Sequence, residues 1–137
     1  MISRVLYVED SADDVTLVQM AFRKAGVRAQ MEVASDGEKA IEVLKNGAVS
    51  GISCVLLDLK LPGISGLQVL SWIREQPHLK RVPVIMFTSS SLQADVNQAY
   101  DLGANSYLVK PSSLDELIAL AQMIDQYWLH TNTPPTQ

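Results

Sequence analysis

The stretch Cys54-Val55-Leu56-Leu57-Asp58-Leu59-Lys60-Leu61-Pro62-Gly63 sets an unbroken apolar run against an acid and then a turn. Four apolar residues without alternation describe a strand buried on both faces, as in a parallel sheet covered by helices. Leu61-Pro62-Gly63 is turn chemistry. Asp58 is too far from the next helix to cap it, because that helix opens at Ser65-Gly66-Leu67-Gln68 and runs to about Gln76. An acid held at the end of a buried strand with no capping duty is a candidate functional group.

The same order repeats on either side. Upstream, Arg4–Val8 reads as a strand, Ser11–Ala25 as a helix stopped by Gly26, and Gln30–Ala34 as a weaker strand. Ser35-Asp36-Gly37-Glu38 has capping-box spacing and opens a helix to about Asn46. Downstream, Val84-Ile85-Met86-Phe87 is a second fully apolar strand. A helix from about Ser91 to Leu102 stops at Gly103, Tyr107-Leu108-Val109 is the last strand, and Ser113-Leu114-Asp115-Glu116 caps a helix reaching about Trp128. Five strand–helix pairs in alternation predict an α/β fold, a five-stranded parallel sheet with helices on both faces. The expected division is one domain over residues 1–129 and a mobile polar tail over 130–137.

Bulk properties narrow the function. The 137 residues are 47% hydrophobic, enough for one well-formed core. Eleven Lys and Arg against fifteen Asp and Glu give a net charge of −4, which argues against a nucleic-acid partner. No apolar run approaches the roughly 20 residues of a membrane helix. The N-terminus lacks a signal-peptide core, and the single Cys54 excludes an intrachain disulfide. Together these features predict a cytoplasmic protein with no membrane partner.

Ligands of such sheets bind beyond the C-terminal strand ends. Glu9-Asp10 follow the first strand, Asp58 the third, Thr88-Ser89-Ser90 the fourth and Lys110-Pro111 the fifth. Three carboxylates at one edge repel unless a cation joins them, and hard oxygen ligands suit Mg²⁺. Lys110 and Thr88 opposite suit a group with several anionic oxygens, such as a phosphoryl. Each residue also has a plainer reading. Asp after a strand is often a turn former, Thr a cap and Lys a solvated charge. Cys54 and Met86 read as core, and Asp13 and Asp14 as first-turn acids favoured by the helix dipole. The functional reading gains because the first group all falls at one edge.

The set Val8-Glu9-Asp10, Leu57-Asp58-Leu59-Lys60-Leu61-Pro62-Gly63, Thr88 and Lys110-Pro111 resembles the receiver domain of two-component response regulators over roughly Ser3 to Trp128. Asp95, Tyr100, Gly103-Ala104-Asn105-Ser106-Tyr107 and Tyr127-Trp128-Leu129 resemble single-domain regulators paired with phytochrome-like histidine kinases. The resemblance implies the flavodoxin-like strand order 2-1-3-4-5. It implies Asp58 as phosphoacceptor from a sensor histidine kinase, in a Mg²⁺-dependent phosphorelay rather than an enzyme's turnover. Metal ligands would be Glu9 (through water), Asp10, Asp58 and the Lys60 backbone carbonyl. Thr88 and Lys110 would hold the phosphoryl oxygens, Thr88 and Tyr107 would form the switch, and Lys60 and Ser90 would tune the lifetime. A cis Lys110-Pro111 bond is expected. Glu9 and Ser65 stand where Asp is more frequent.

Rival readings fit less well. An aspartyl phosphatase of the haloacid dehalogenase type wants a second Asp where Lys60 stands. A flavin or nucleotide binder wants a Gly- or Ser/Thr-rich loop where Glu9-Asp10 stand. A degenerate receiver would lack site residues. With no output domain read in the chain, output is expected through an unknown downstream protein or a phosphoryl relay. In the last helix, Leu114, Leu117, Ile118, Ala121, Ile124 and Trp128 share the face expected to pack on the sheet. Leu120, Met123 and Tyr127 form a second apolar stripe, expected to make a homodimer interface.

Overall fold

The computed structural model describes residues 3–46 and 51–135. Strands β1 (Arg4–Val8), β2 (Gln30–Ala34), β3 (Ile52–Leu57), β4 (Val84–Thr88) and β5 (Ser106–Val109) form one parallel sheet in the order β2-β1-β3-β4-β5. Helices α1 (Ala12–Lys24), α2 (Gly37–Lys45), α3 (Gly66–Glu75), α4 (Gln93–Asp101) and α5 (Leu114–Ile124) alternate with them. A π-helical segment, Asp125–Thr131, continues from α5.

The apolar runs are explained by two cores, one on each face. Leu6, Val8, Val55, Leu57, Val84 and Met86 point to the α2–α3–α4 side. Val5, Tyr7, Cys54, Leu56, Ile85 and Phe87 point to α1 and α5. A strand that feeds both layers has no polar face, so its sequence cannot alternate. Edge strand β2 is half-exposed, which accounts for its weaker pattern.

Local signals hold at most ends. Ser11 caps α1 through Asp14 N, and Ser65 with Gln68 forms a reciprocal capping box on α3. Gly26 closes α1 at positive φ, while Val27 N–H reaches back to Phe22 O. The second helix differs from expectation. Asp36, not Ser35, caps α2 by accepting from Lys39 N at 2.7 Å, and Glu38 instead accepts from Ile64 N. The helix therefore opens one residue later than a Ser35 cap would have set it, with Lys39 rather than Glu38 as the capped donor. Helix α4 starts at Gln93 with Leu92 at its cap and no side-chain cap, later than the expected Ser91.

Far from the acidic strand ends, Arg74 on α3 donates to Gly103 O, Lys80 O, Val82 O and Asn105 Oδ1 at 2.7–3.1 Å. It ties the end of α3 to the approaches of β4 and β5. Asn132, Thr133 and Pro135 of the expected tail line a 480 Å³ groove beside it, and residues 136 and 137 lie outside the described set.

Gly66 opens α3 against the chain that leaves β3. A Cβ there would lie 2.0 Å from the Asp58 carbonyl oxygen and 3.0 Å from Leu59 Cα. Backbone cannot yield as a flexible side chain can. Gly66→Ala is therefore expected to lower unfolding stability by about 1–3 kcal/mol, the range for overpacking, read as a fall in urea midpoint. An unchanged midpoint would show that α3 can slide away from Asp58.

Candidate functional site

Parallel register brings the acidic residues together. Val8 pairs with Leu57 and Leu57 with Met86, so the chains leave β1, β3 and β4 side by side. Asp58 N–H still donates to Val8 O at 3.1 Å, and Lys110 N–H to Thr88 O at 2.8 Å. The side chains that follow line a cavity of 490 Å³ formed by Glu9, Asp10, Asp14, Asp58, Lys60, Thr88 and Lys110 with the loop through Ser89–Leu92. One carboxylate oxygen from each of Glu9, Asp10 and Asp58 lies within 4.8 Å of the others.

Their environments differ. Glu9 is 2% exposed and Asp58 7%, whereas Asp10 is open to solvent. Glu9 accepts from Tyr7 Oη at 3.3 Å and Ser11 N–H at 3.2 Å, and it pairs with Lys110 Nζ. Lys110 Nζ also reaches Asp14 Oδ2 at 2.9 Å and Asp58 Oδ2 at 3.2 Å, with its ammonium 5.8 Å from the Phe87 ring centre. One cation thus serves three acids. Two unit charges 4 Å apart interact by about 4 kcal/mol near a protein surface, so this sharing offsets much of the repulsion.

The titration pattern follows. Burial pushes the Glu9 carboxyl up to about 7, against the pull of Lys110 and the Ser11 N–H. Burial alone would lower the Lys110 pKa, but its bonds to Glu9 and Asp14 outweigh that and raise it. Burial, then the Glu9 charge, holds the Tyr7 phenol above its ordinary range, so it remains a donor.

Asp14, read from sequence as a dipole-favoured acid, is a member of this network. No sequence signal separated it from Asp13, since an acid in the first turn of α1 has an ordinary explanation. The Lys110-Pro111 bond is a correction. No peptide bond among the described residues is cis. With a trans bond the backbone pairing of Lys110 to Thr88 already aims the ammonium over the acids. Tyr107 is half-buried and turned toward the loop after β4, its hydroxyl donating to Ser90 O at 2.9 Å. Within the outer stripe of the last helix, Leu120 is half-buried. It packs against the α1–α5 core, leaving Met123 and Tyr127 as the exposed part of the stripe, at 57% and 51%.

A family model for the response regulator receiver domain matches residues 5–122. The chain belongs to that family. Its receiver is 37% identical over 134 residues to a probable methanogenesis regulatory protein, FilR2, of Methanothrix harundinacea, covering 96% of this chain and 86% of that one. It is 36% identical over 135 residues to response regulator Rcp1 of Synechocystis sp., covering 96% and 92%. Among solved structures, the receiver superposes on the phosphorylated cyanobacterial phytochrome response regulator RcpA with a TM-score of 0.89 at 32% identity, over 99% and 100% of the two chains. The Mn²⁺-bound form of Rcp1 superposes at 0.84 with 36% identity, over 98% and 99%. The flavodoxin-like order 2-1-3-4-5 is the fold of these neighbours. No helix among the described residues is long and apolar enough to cross a membrane.

The raised Glu9 pKa gives a signed prediction. Between 4.5 and about 7 the folded receiver holds a proton on Glu9 that the unfolded chain has released. This contribution to stability is complete below the unfolded value and is lost as pH rises through the folded one. In chelator, the urea midpoint is expected to fall between about pH 5 and about pH 8, and Glu9→Gln should flatten that slope. A variant whose slope matches wild type would move the titration to another group.

Proposed function

We propose that this receiver takes a phosphoryl group from a sensor histidine kinase onto Asp58 and passes the signal on by changing a protein-binding face. The observation that carries the reading is the placement of Lys110 Nζ 3.2 Å from Asp58 Oδ2, in the cavity that Thr88 also lines. An Asp58 oxygen attacks phosphorus, the P–N bond to the kinase histidine breaks, and an acyl phosphate forms. Lys110 offers charge to the phosphoryl oxygens and Thr88 a hydroxyl. The hard oxygens of Glu9, Asp10 and Asp58, with the Lys60 carbonyl, fit Mg²⁺, and the bound ion would supply positive charge that Lys110 alone cannot. Glu9 is engaged by Tyr7, Ser11 and Lys110, which suits contact through water better than direct ligation. Lys60 and Ser90 border the cavity where water would approach, and they tune the lifetime. The likeness to phytochrome response regulators supports a phytochrome-like kinase as donor. This role makes the chain a phosphoacceptor rather than an enzyme.

The switch would run from Thr88 through Ser90 to Tyr107, shifting the populations of the α4–β5–α5 face. On that face Met123 and Tyr127 are exposed, and Tyr127 packs edge-on against Trp128 at 5.0 Å. We assign these two to a self-complementary dimer contact.

Acetyl phosphate with Mg²⁺ should add one phosphoryl group by intact mass, and Asp58→Asn should abolish it. Equal labelling of that variant would end the reading. Asp10→Asn should weaken Mg²⁺ binding more than Asp13→Asn, by titration. For the interface, Met123→Glu with Tyr127→Glu should give a monomer in light scattering that still accepts phosphoryl. Leu120 is left alone because it supports the core. A wild-type chain that is monomeric with and without phosphorylation rules the contact out.

A further inference from the structure

Ser90 is tied at every polar atom. Its N–H donates to Thr88 Oγ1 at 3.4 Å, and its carbonyl accepts from Tyr107 Oη at 2.9 Å. Its hydroxyl accepts from Leu92 N–H at 3.3 Å and donates to Asp95 Oδ2 at 2.5 Å. The last of these is the short, charge-assisted member of the set. Ser90 lines the acid cavity, while Asp95 lies outside it on the first turn of α4. That helix has Leu92 at its cap position and no side-chain cap of its own. The Ser90–Asp95 bond therefore fastens the start of α4 to the loop that borders Asp58.

We propose that Asp95 is a positioning residue that sets the lifetime of phosphorylated Asp58 by turning the Ser90 hydroxyl away from the cavity. The inference rests on the phosphoacceptor reading of Asp58. In hydrolysis a water oxygen bonds to phosphorus and the bond from phosphorus to the Asp58 oxygen breaks. The Asp58 carboxylate is regenerated, and dihydrogen phosphate leaves with both of the water's hydrogens. A free Ser90 hydroxyl beside this reaction can accept from the incoming water and orient it. Held between Asp95 and the Leu92 N–H, the hydroxyl is turned to the start of the helix and one of its two lone pairs is already taken. A plain first-turn acid would act only on the dipole of α4 and would be indifferent to what stands at position 90.

A double-mutant cycle separates the two roles. The full chain is phosphorylated with acetyl phosphate and Mg²⁺, the donor is removed, and decay is followed by intact mass, with circular dichroism confirming the fold. Asp95→Ala should shorten the lifetime roughly fivefold, the scale of one hydrogen bond. Asp95→Asn, whose amide oxygen can still accept from Ser90, should stay near wild type. Ser90→Ala and Ser90→Ala/Asp95→Ala should decay at the same rate. An equal shortening by Asp95→Ala with or without the Ser90 hydroxyl, or none in either background, overturns the proposal. If wild type takes up no phosphoryl at all, the Asp58 reading falls and this inference with it. If uptake is normal and only the cycle fails, the Asp58 reading stands.

Discussion

One ammonium makes the acidic edge of the sheet possible. Lys110 reaches Glu9, Asp14 and Asp58 from the end of β5, while those acids arrive from β1, α1 and β3. Without it, buried Glu9 and Asp58 would face each other and Asp14 with no ion pair of their own among the described residues. The ion pairs are therefore less a source of stability than a means of tolerating a costly cluster. They also couple the two ends of the sequence. Placement of Lys110 depends on β5 pairing with β4, so the site is complete only when the sheet is.

Fold and site were legible in the sequence to different depths. The two central strands announce themselves because both their faces are buried, and that alone dictates parallel pairing under two helical layers. The strand order came from family likeness, since alternation permits several orders. The partners Glu9, Asp10, Asp58, Thr88 and Lys110 could be gathered from their position after strands, because a parallel sheet sends all such positions to one edge. Asp14 and Asp95 could not be found that way. Each lies on a helix, where an acid in the first turn has an ordinary explanation, and only the fold shows which of them reaches a partner. Competition between neighbouring polar groups was equally hidden. Ser35 and Asp36 both suit a cap, and local geometry chose Asp36. Leu120 lies on the outer stripe by helical angle, yet one side of it rests against the core beside α1.

The cavity is built mostly from loops on a rigid frame. Its floor is the ends of three strands whose last four residues are all buried, and its rim is the segment Thr88–Leu92, whose hydrogen bonds run to side chains as well as backbone. Such a division suits a site that must hold acids in place while its rim responds to added charge.

Arg74 gives the opposite end of the molecule a different character. Four bonds from one guanidinium fasten α3, the approach to β4, and the Gly103–Asn105 corner that leads from α4 into β5. Burial lowers its pKa, yet these neutral oxygens satisfy it in place. Helix α4 is thus held at its far end by the Arg74 corner and at its near end through Ser90. Were the Ser90 tie released, the Arg74 corner would remain as a fulcrum and the helix would swing about it as a lever. A small shift at the loop beside Asp58 would become a rotation of the helix's outer surface, with no translation of the sheet beneath it.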